Sequence, residues 1–344
     1  MRRAAGAVAR FFGGGVACVH PIGAFVALGW LCELMRRATH ARWRSLGGVG
    51  ELAAPPAVGV VRSLLRFARG GLQASVNYWV VTLPGAGLWY FAWYAGWNNS
   101  FNKGYEHAFV APGLGLLGMA LFAAAMFHVP LAQARQAATG DWRAFYGFKT
   151  VWALVGEKWL SSLFLAAAYA AAALPVLLLR ALPNFLPMMD SELERVDAAR
   201  ARAFMDGYNL LAALLVFALL VALRLAAARI YASGLAALAR GGVACELHPE
   251  ERAALAAYRL EASTAPSRGR FVAWARWAAT GTGRLVSAAG VTICWLAFGF
   301  TVFLAQFLNY QAGRAWLNQP LVQLPWAGVA VDSKAGKPVL GAHD

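Results

Sequence analysis

Residues 159–179 pass without one charged side chain, and five other stretches read almost as cleanly: 11–34, 77–97, 108–134, 207–228 and 285–313. An apolar run of about 18 residues or more is long enough to cross the hydrocarbon core of a bilayer as a helix. In lipid every backbone N–H and C=O must bond within the protein, so runs of this length are helical. The alternating apolar and polar pattern of membrane barrel strands is absent. Composition agrees, because 60% of the 344 residues are hydrophobic and only 14% are charged, where soluble domains carry roughly 25% charged residues. The expected fold class is all-α, a polytopic membrane bundle of about six transmembrane helices in three hairpins. It is expected to comprise a membrane domain over 1–316 and an extended tail over 317–344, whose apolar piece 321–326 packs on the outer face or on a partner.

The formal net charge of +15 does not mark a nucleic-acid-binding module. The arginines lie between the apolar runs, as topology signals and contacts to anionic lipids do, and no basic folded domain remains once the spans are removed. The linkers after the first, third and fifth runs are arginine- and lysine-rich. The segment 190–206 is acid-rich, with Asp190, Glu192, Glu194, Asp197 and Asp206. The positive-inside rule then puts the three basic linkers in the cytoplasm of an inner-membrane protein, with both termini outside. Arg2, Arg3 and Arg10 pull the other way. They also fit a signal or transit peptide, although the run behind them is long and lacks a clear Ala-x-Ala site.

The basic linkers carry amphipathic features of their own. Arg62, Arg66 and Arg69 form one stripe of a short helix from residue 56, suited to an anionic leaflet. Trp142, Phe145, Tyr146, Phe148 and Trp152 beside Arg143 and Lys149 read as an aromatic belt with cations reaching to the headgroups. His248-Pro249-Glu250-Glu251 is a helix start, expected to run to about Ala262. Ser191 to Glu194 has capping-box spacing and predicts a short acidic helix over 192–205.

The stretch 130–148 holds Pro130-x-Ala132-x-Ala134-Arg135-x-Ala137-x-x-Gly140-Asp141, then Ala144-Phe145 and Phe148. It resembles the span-end junction of a polytopic bacterial and archaeal membrane family classed as a domain of unknown function. Leu28-Gly29-Trp30 through Arg36 and Ile230-Tyr231-Ala232-Ser233-Gly234 resemble two further segments of that family, so the likeness covers roughly residues 23–242. It implies a membrane location and a helical fold, and it implies no activity. The last hundred residues depart from the pattern.

Candidate sites are few. His20 and His128 are the ionisable groups well inside runs, and a histidine on a membrane helix can ligate haem or a chlorophyll-type pigment. They lie at different depths, so they are not expected to share one metal. Arg224 is expected to snorkel to the interface, and Glu33 to pair with Arg36 and Arg37. Cys18, Cys32, Cys245 and Cys294 show neither metal-ligand nor CxxC spacing. Phosphate loops, GxSxG and HExxH are absent, so no enzyme is indicated. With no Asp, Glu or Lys at the centre of a span, the expected function is a non-enzymatic accessory or scaffold subunit that packs on a membrane-protein partner or on its own copies. The alternative is a transporter or flippase for a small amphiphile, and a further one a haem- or pigment-binding subunit.

Overall fold

The computed structural model describes residues 2–48, 59–92, 110–189, 198–241, 246–260, 321–326 and ten positions between 281 and 293. Among these residues the chain is helical, with no strand. The helices are α1 (Arg2–Ala17), α2 (Pro21–Gly47), α3 (Val60–Phe91), α4 (Val110–Thr139), α5 (Phe148–Glu157), α6 (Trp159–Met189), α7 (Ala198–Arg240) and α8 (Pro249–Ala257), with a 3-10 helix over Trp142–Tyr146 between α4 and α5. Three stretches, Gly113–Thr139, Trp159–Val176 and Arg202–Arg240, are long and apolar enough to cross a membrane.

The expected first span is two helices. Pro21 cannot donate a backbone hydrogen bond and forces its predecessor out of the helical region. His20 accordingly sits extended (φ −113°, ψ 137°), and its ring accepts from the Ile22 N–H as an N-cap. Contacts with α7 fix the directions. Gly15 lies against Leu214, and Gly14 and Phe11 lie against Phe217, so α1 runs opposite to α7. Trp30 meets Phe217, the Trp43 indole donates to the Ala232 carbonyl, and Arg240 donates to the Leu46 carbonyl. Helix α2 is therefore parallel to α7, and α1 doubles back along α2.

Two other expected boundaries dissolve. The arginine stripe and the second run form one helix, α3, which passes through Gly70-Gly71 without breaking because Gly71 is packed against the α2 backbone, and Arg62, Arg66 and Arg69 are exposed along its first half. Helix α7 starts at Ala198, so the final residues of the expected acidic helix join the fifth run. Its 43 residues span about 65 Å at 1.5 Å each, more than any hydrocarbon core. The cap of the expected acidic helix and most of the sixth run lie outside the described residues. Helix α8 stops short of Ala262 because Arg259 turns left-handed (φ 54°) and Leu260 donates back to Leu255, a Schellman closure with Leu260 buried under it.

Glycine sets the close crossings. A Cβ on Gly29 would fall 1.9 Å from the Phe67 carbonyl oxygen, and one on Gly71 would fall 1.8 Å from that of Phe25. Helices α2 and α3 thus pass antiparallel with backbones in contact, the small-residue packing that helices use in lipid. Gly85 and Gly118 do the same for α3 and α4, whereas Gly113 faces open space and Gly115 meets only the Ala92 methyl at 3.6 Å. The apolar segment 321–326 is not on an outer face. Leu321, Val322, Gln323 and Leu324 are buried, with Gln323 donating to Thr82 and the Trp326 indole to the Val19 carbonyl.

Gly29→Val is expected to destabilise the bundle by about 2 kcal/mol or more through overpacking. Gly87, which has open space around its Cβ position, is expected to gain about 0.5–1 kcal/mol as Ala. Thermal melts of both variants in one detergent check this, and equal melts for Gly29→Val and wild type would contradict the crossing.

Candidate functional site

Two buried arginines organise the polar interior, and their surroundings are opposite in kind. Arg135, near the end of α4, donates Nε to Glu251 Oε1 at 2.8 Å and Nη2 to Oε2 at 3.0 Å, with the two side chains 5% and 0% exposed. The Glu251 carboxylate also accepts from the Tyr231 hydroxyl and from the His248 backbone N–H in the capping box of α8. Arg135 Nη2 donates further to the Glu246 carbonyl at 2.8 Å, which Thr150 joins at 3.1 Å. Each partner is met, so the charges are compensated where they lie.

The stretch 130–148 supplies that fit. Ala132 and Ala134 are fully buried on opposite sides of α4, whose residues 126–137 are buried all round. Gly140 takes φ 71°, a left-handed turn that glycine enters without a Cβ penalty, and closes the helix. Asp141 then caps the 3-10 helix by accepting from the Arg143 N–H, and its second oxygen faces the His248 ring at 3.3 Å. The Arg143 N–H, and behind it His248, hold the Asp141 carboxyl below its ordinary value. A depressed carboxyl contributes stability above its unfolded pKa, here near 3.8, and that contribution is lost as the pH falls through the folded value. A Cβ at Gly147 would strike Arg135 Nη1 at 1.7 Å, so only glycine leaves room for the guanidinium. Asn77 ties α3 to the same junction through Gln136, the Trp142 carbonyl and the Tyr146 hydroxyl.

Arg224, in the middle of α7, does not snorkel. It is 1% exposed. Its Nη2 donates to the Val322 carbonyl at 3.2 Å, and its guanidinium lies 5.2 Å from the centre of the Tyr78 ring. Its Nε and Nη1 have no hydrogen-bond partner, and it makes no ion pair among the described residues. Gln133 donates to the same Val322 carbonyl at 3.0 Å, leaving its own Oε1 unpaired. Tyr78 and Tyr169 present hydroxyls without partners, and both lie within electrostatic reach of Arg224. The Cys32 thiol stands beside the Tyr78 hydroxyl without completing a hydrogen bond of good geometry. Five helices, α2, α3, α4, α6 and α7, therefore each bring one polar side chain to a single buried point. One carbonyl and one aromatic face are weak compensation for a buried cation.

The other candidates are placed apart from this point. His20 caps α2 at the α1–α2 turn, exposed. His128 is buried, with Nε2 at 2.8 Å from the Phe145 carbonyl and its ring stacked on Phe148, the surroundings of a packed core histidine. No group of three or more His, Cys, Asp or Glu is placed to hold a metal among the described residues. Arg143 lies over the Trp142 ring, and Lys149 pairs with Glu246 at 3.1 Å in the open, where such a pair contributes little. Glu33 pairs with both Arg36 and Arg37 at 2.8 Å, as its spacing suggested. Comparison with known proteins found no matching family model, no matching curated protein and no matching solved structure.

Arg135→Met is expected to cost about 3–5 kcal/mol, because it leaves Glu251 charged and alone in the interior. The double variant Arg135→Met, Glu251→Met is expected to recover most of that loss. Chemical denaturation of the three proteins measures it, and additive losses would contradict a coupled pair.

Proposed function

We propose that the protein is a non-enzymatic, multi-pass carrier in the cytoplasmic membrane that takes a small anionic amphiphile into its interior. Arg224 meets the negative group. The observation that carries this reading is the pair of unpartnered N–H donors on a guanidinium that is 1% exposed. An ionisable residue inside a membrane protein marks a ligand or ion path more often than a structural contact. The scaffold reading rests in part on an interior without buried charge, and Arg224 is a buried charge. The Tyr78 ring, 5.2 Å from the guanidinium, offers an aromatic face to the apolar body of such a ligand.

The segment 321–326 is the ligand's competitor. Val322 lends its carbonyl to Arg224, while Trp326 reaches the α1–α2 turn at Val19. The segment thus occupies the line from the buried cation to that turn. Release of Val322 frees Arg224 Nη2, so that all three donor positions face an incoming carboxylate or phosphate. For topology, the doubling back of α1 brings Arg2, Arg3 and Arg10 to the side of the basic linkers. The proposed N-terminus is therefore cytoplasmic, in place of the outside position expected from one continuous span.

Arg224→Met is expected to leave the fold neutral in stability or stabilised by about 1–4 kcal/mol, because it removes an uncompensated charge. Decanoate is expected to raise the melting temperature of wild type and not of Arg224→Met, by linkage of binding to folding. Decanol serves as the uncharged control. Equal stabilisation of both proteins by decanoate, or of wild type by decanol as much as by decanoate, would overturn the reading.

A further inference from the structure

A second basic site lies one level outward along α7. Arg229 follows Arg224 by five residues, about 7.5 Å along the helix. There α2, α6 and α7 enclose a cleft of about 730 Å³ that opens to the surface. Its polar lining consists of Arg42, Lys158, Arg229, Ser45, Ser161 and Ser233, with no carboxylate among them. None of the three cations makes an ion pair among the described residues. Arg42 is held in place by its Nε bond to Ser233 Oγ at 3.0 Å, which leaves its two terminal nitrogens free to point elsewhere. Lys158 lies between α5 and α6, and its stem passes α7 at Gly234, where a Cβ would meet Lys158 Cγ at 3.4 Å and Leu154 Cδ2 at 2.9 Å. Ser161 belongs to the first turn of the 31-residue helix α6, whose N-terminal end adds its own positive field.

We infer that this cleft is a binding site for a phosphate-bearing group. Three converging cations and three hydroxyls match a tetrahedral oxyanion, which arginine contacts through paired N–H donors. The place fits as well. The cleft lies at the end of the bundle that carries the basic linkers, where basic pockets between membrane helices take anionic headgroups. The same chemistry accepts a lipid headgroup or a soluble phosphate. The exposed stripe Arg62, Arg66, Arg69 lacks both the enclosure and the hydroxyls. The inference does not depend on a ligand at Arg224, because none of the cleft's lining residues contacts that guanidinium in the interactions shown.

The full-length protein, purified from vesicles of phosphatidylglycerol and phosphatidylcholine, is weighed by native mass spectrometry and titrated calorimetrically with inorganic phosphate. Selective retention of phosphatidylglycerol, lost at least tenfold in Arg42→Gln, Arg229→Gln, identifies a lipid headgroup. Phosphate binding with the same loss identifies a soluble ligand. Both groups are exposed, so the double variant is expected to melt with wild type, and Lys158→Gln provides a second, milder variant. Arg224→Met is expected to retain this binding. Neither ligand bound, binding unchanged in both cleft variants, or loss confined to Arg62→Gln, Arg66→Gln, Arg69→Gln would overturn the site.

Discussion

A guanidinium inside a helical bundle has to be met on its donor edge or carry a desolvation cost of several kcal/mol, and among the described residues two interior arginines are treated in opposite ways. Arg135 is closed off. Glu251, the Glu246 carbonyl and the space left by Gly147 account for its donors, and Tyr231 and His248 complete the carboxylate on the far side. That network joins α4, α7 and α8 and fixes the turn between α4 and α5. Arg224 is left open, with one carbonyl from a separate segment and the face of Tyr78. A charge that a protein buries without compensation is tolerated where something else supplies the difference, and the proposed ligand would supply it here.

The open arginine depends on the closed one and on the glycine crossings. Gly29 against Phe67, Gly71 against Phe25 and Gly85 against Gly118 draw α2, α3 and α4 close enough for Cys32, Tyr78 and Gln133 to converge. Helix α6 reaches the same point through Tyr169, and is pinned to α7 where the Tyr208 hydroxyl donates to the Leu179 carbonyl. The Arg135 junction then holds α7 at its other end. A rigid frame with one unsatisfied point inside it is an economical arrangement for binding, since the frame need not change when the point is occupied.

Much of the framework was legible in the sequence. Long uncharged runs predicted helices, and the third, fourth and fifth coincide with the stretches apolar enough to span a membrane. The His248 cap and the Glu33 pairs followed from local spacing alone. What was not legible was long-range. Arg224 lies one turn from the end of its run, a position from which arginine ordinarily reaches water, and only the arrival of residues 321–326 nearly a hundred positions later shows that it does not. Glu251 reads as a helix-start acid, and its role as the partner of Arg135 depends on folding back across 116 residues. The first run divides for a local reason: Pro21 after His20 breaks the helix, within a stretch that is apolar on both sides of the break. Gly113 and Gly118 look alike in sequence, and only the neighbouring helix distinguishes the one that makes a crossing.

The distance between the Arg224 guanidinium and the carboxylate of bound decanoate tests the central claim most directly. It is read by dipolar recoupling between ¹⁵N-labelled arginine and ¹³C-labelled ligand, with the protein in bilayers and Arg224→Met assigning the signal. A separation of about 4 Å, as in a charge-assisted hydrogen bond, with the Val322 carbonyl moved off Arg224, is the expected result. A bound carboxylate with no coupling to Arg224, while Val322 keeps its contact, would contradict the assignment of Arg224 as the anion's partner.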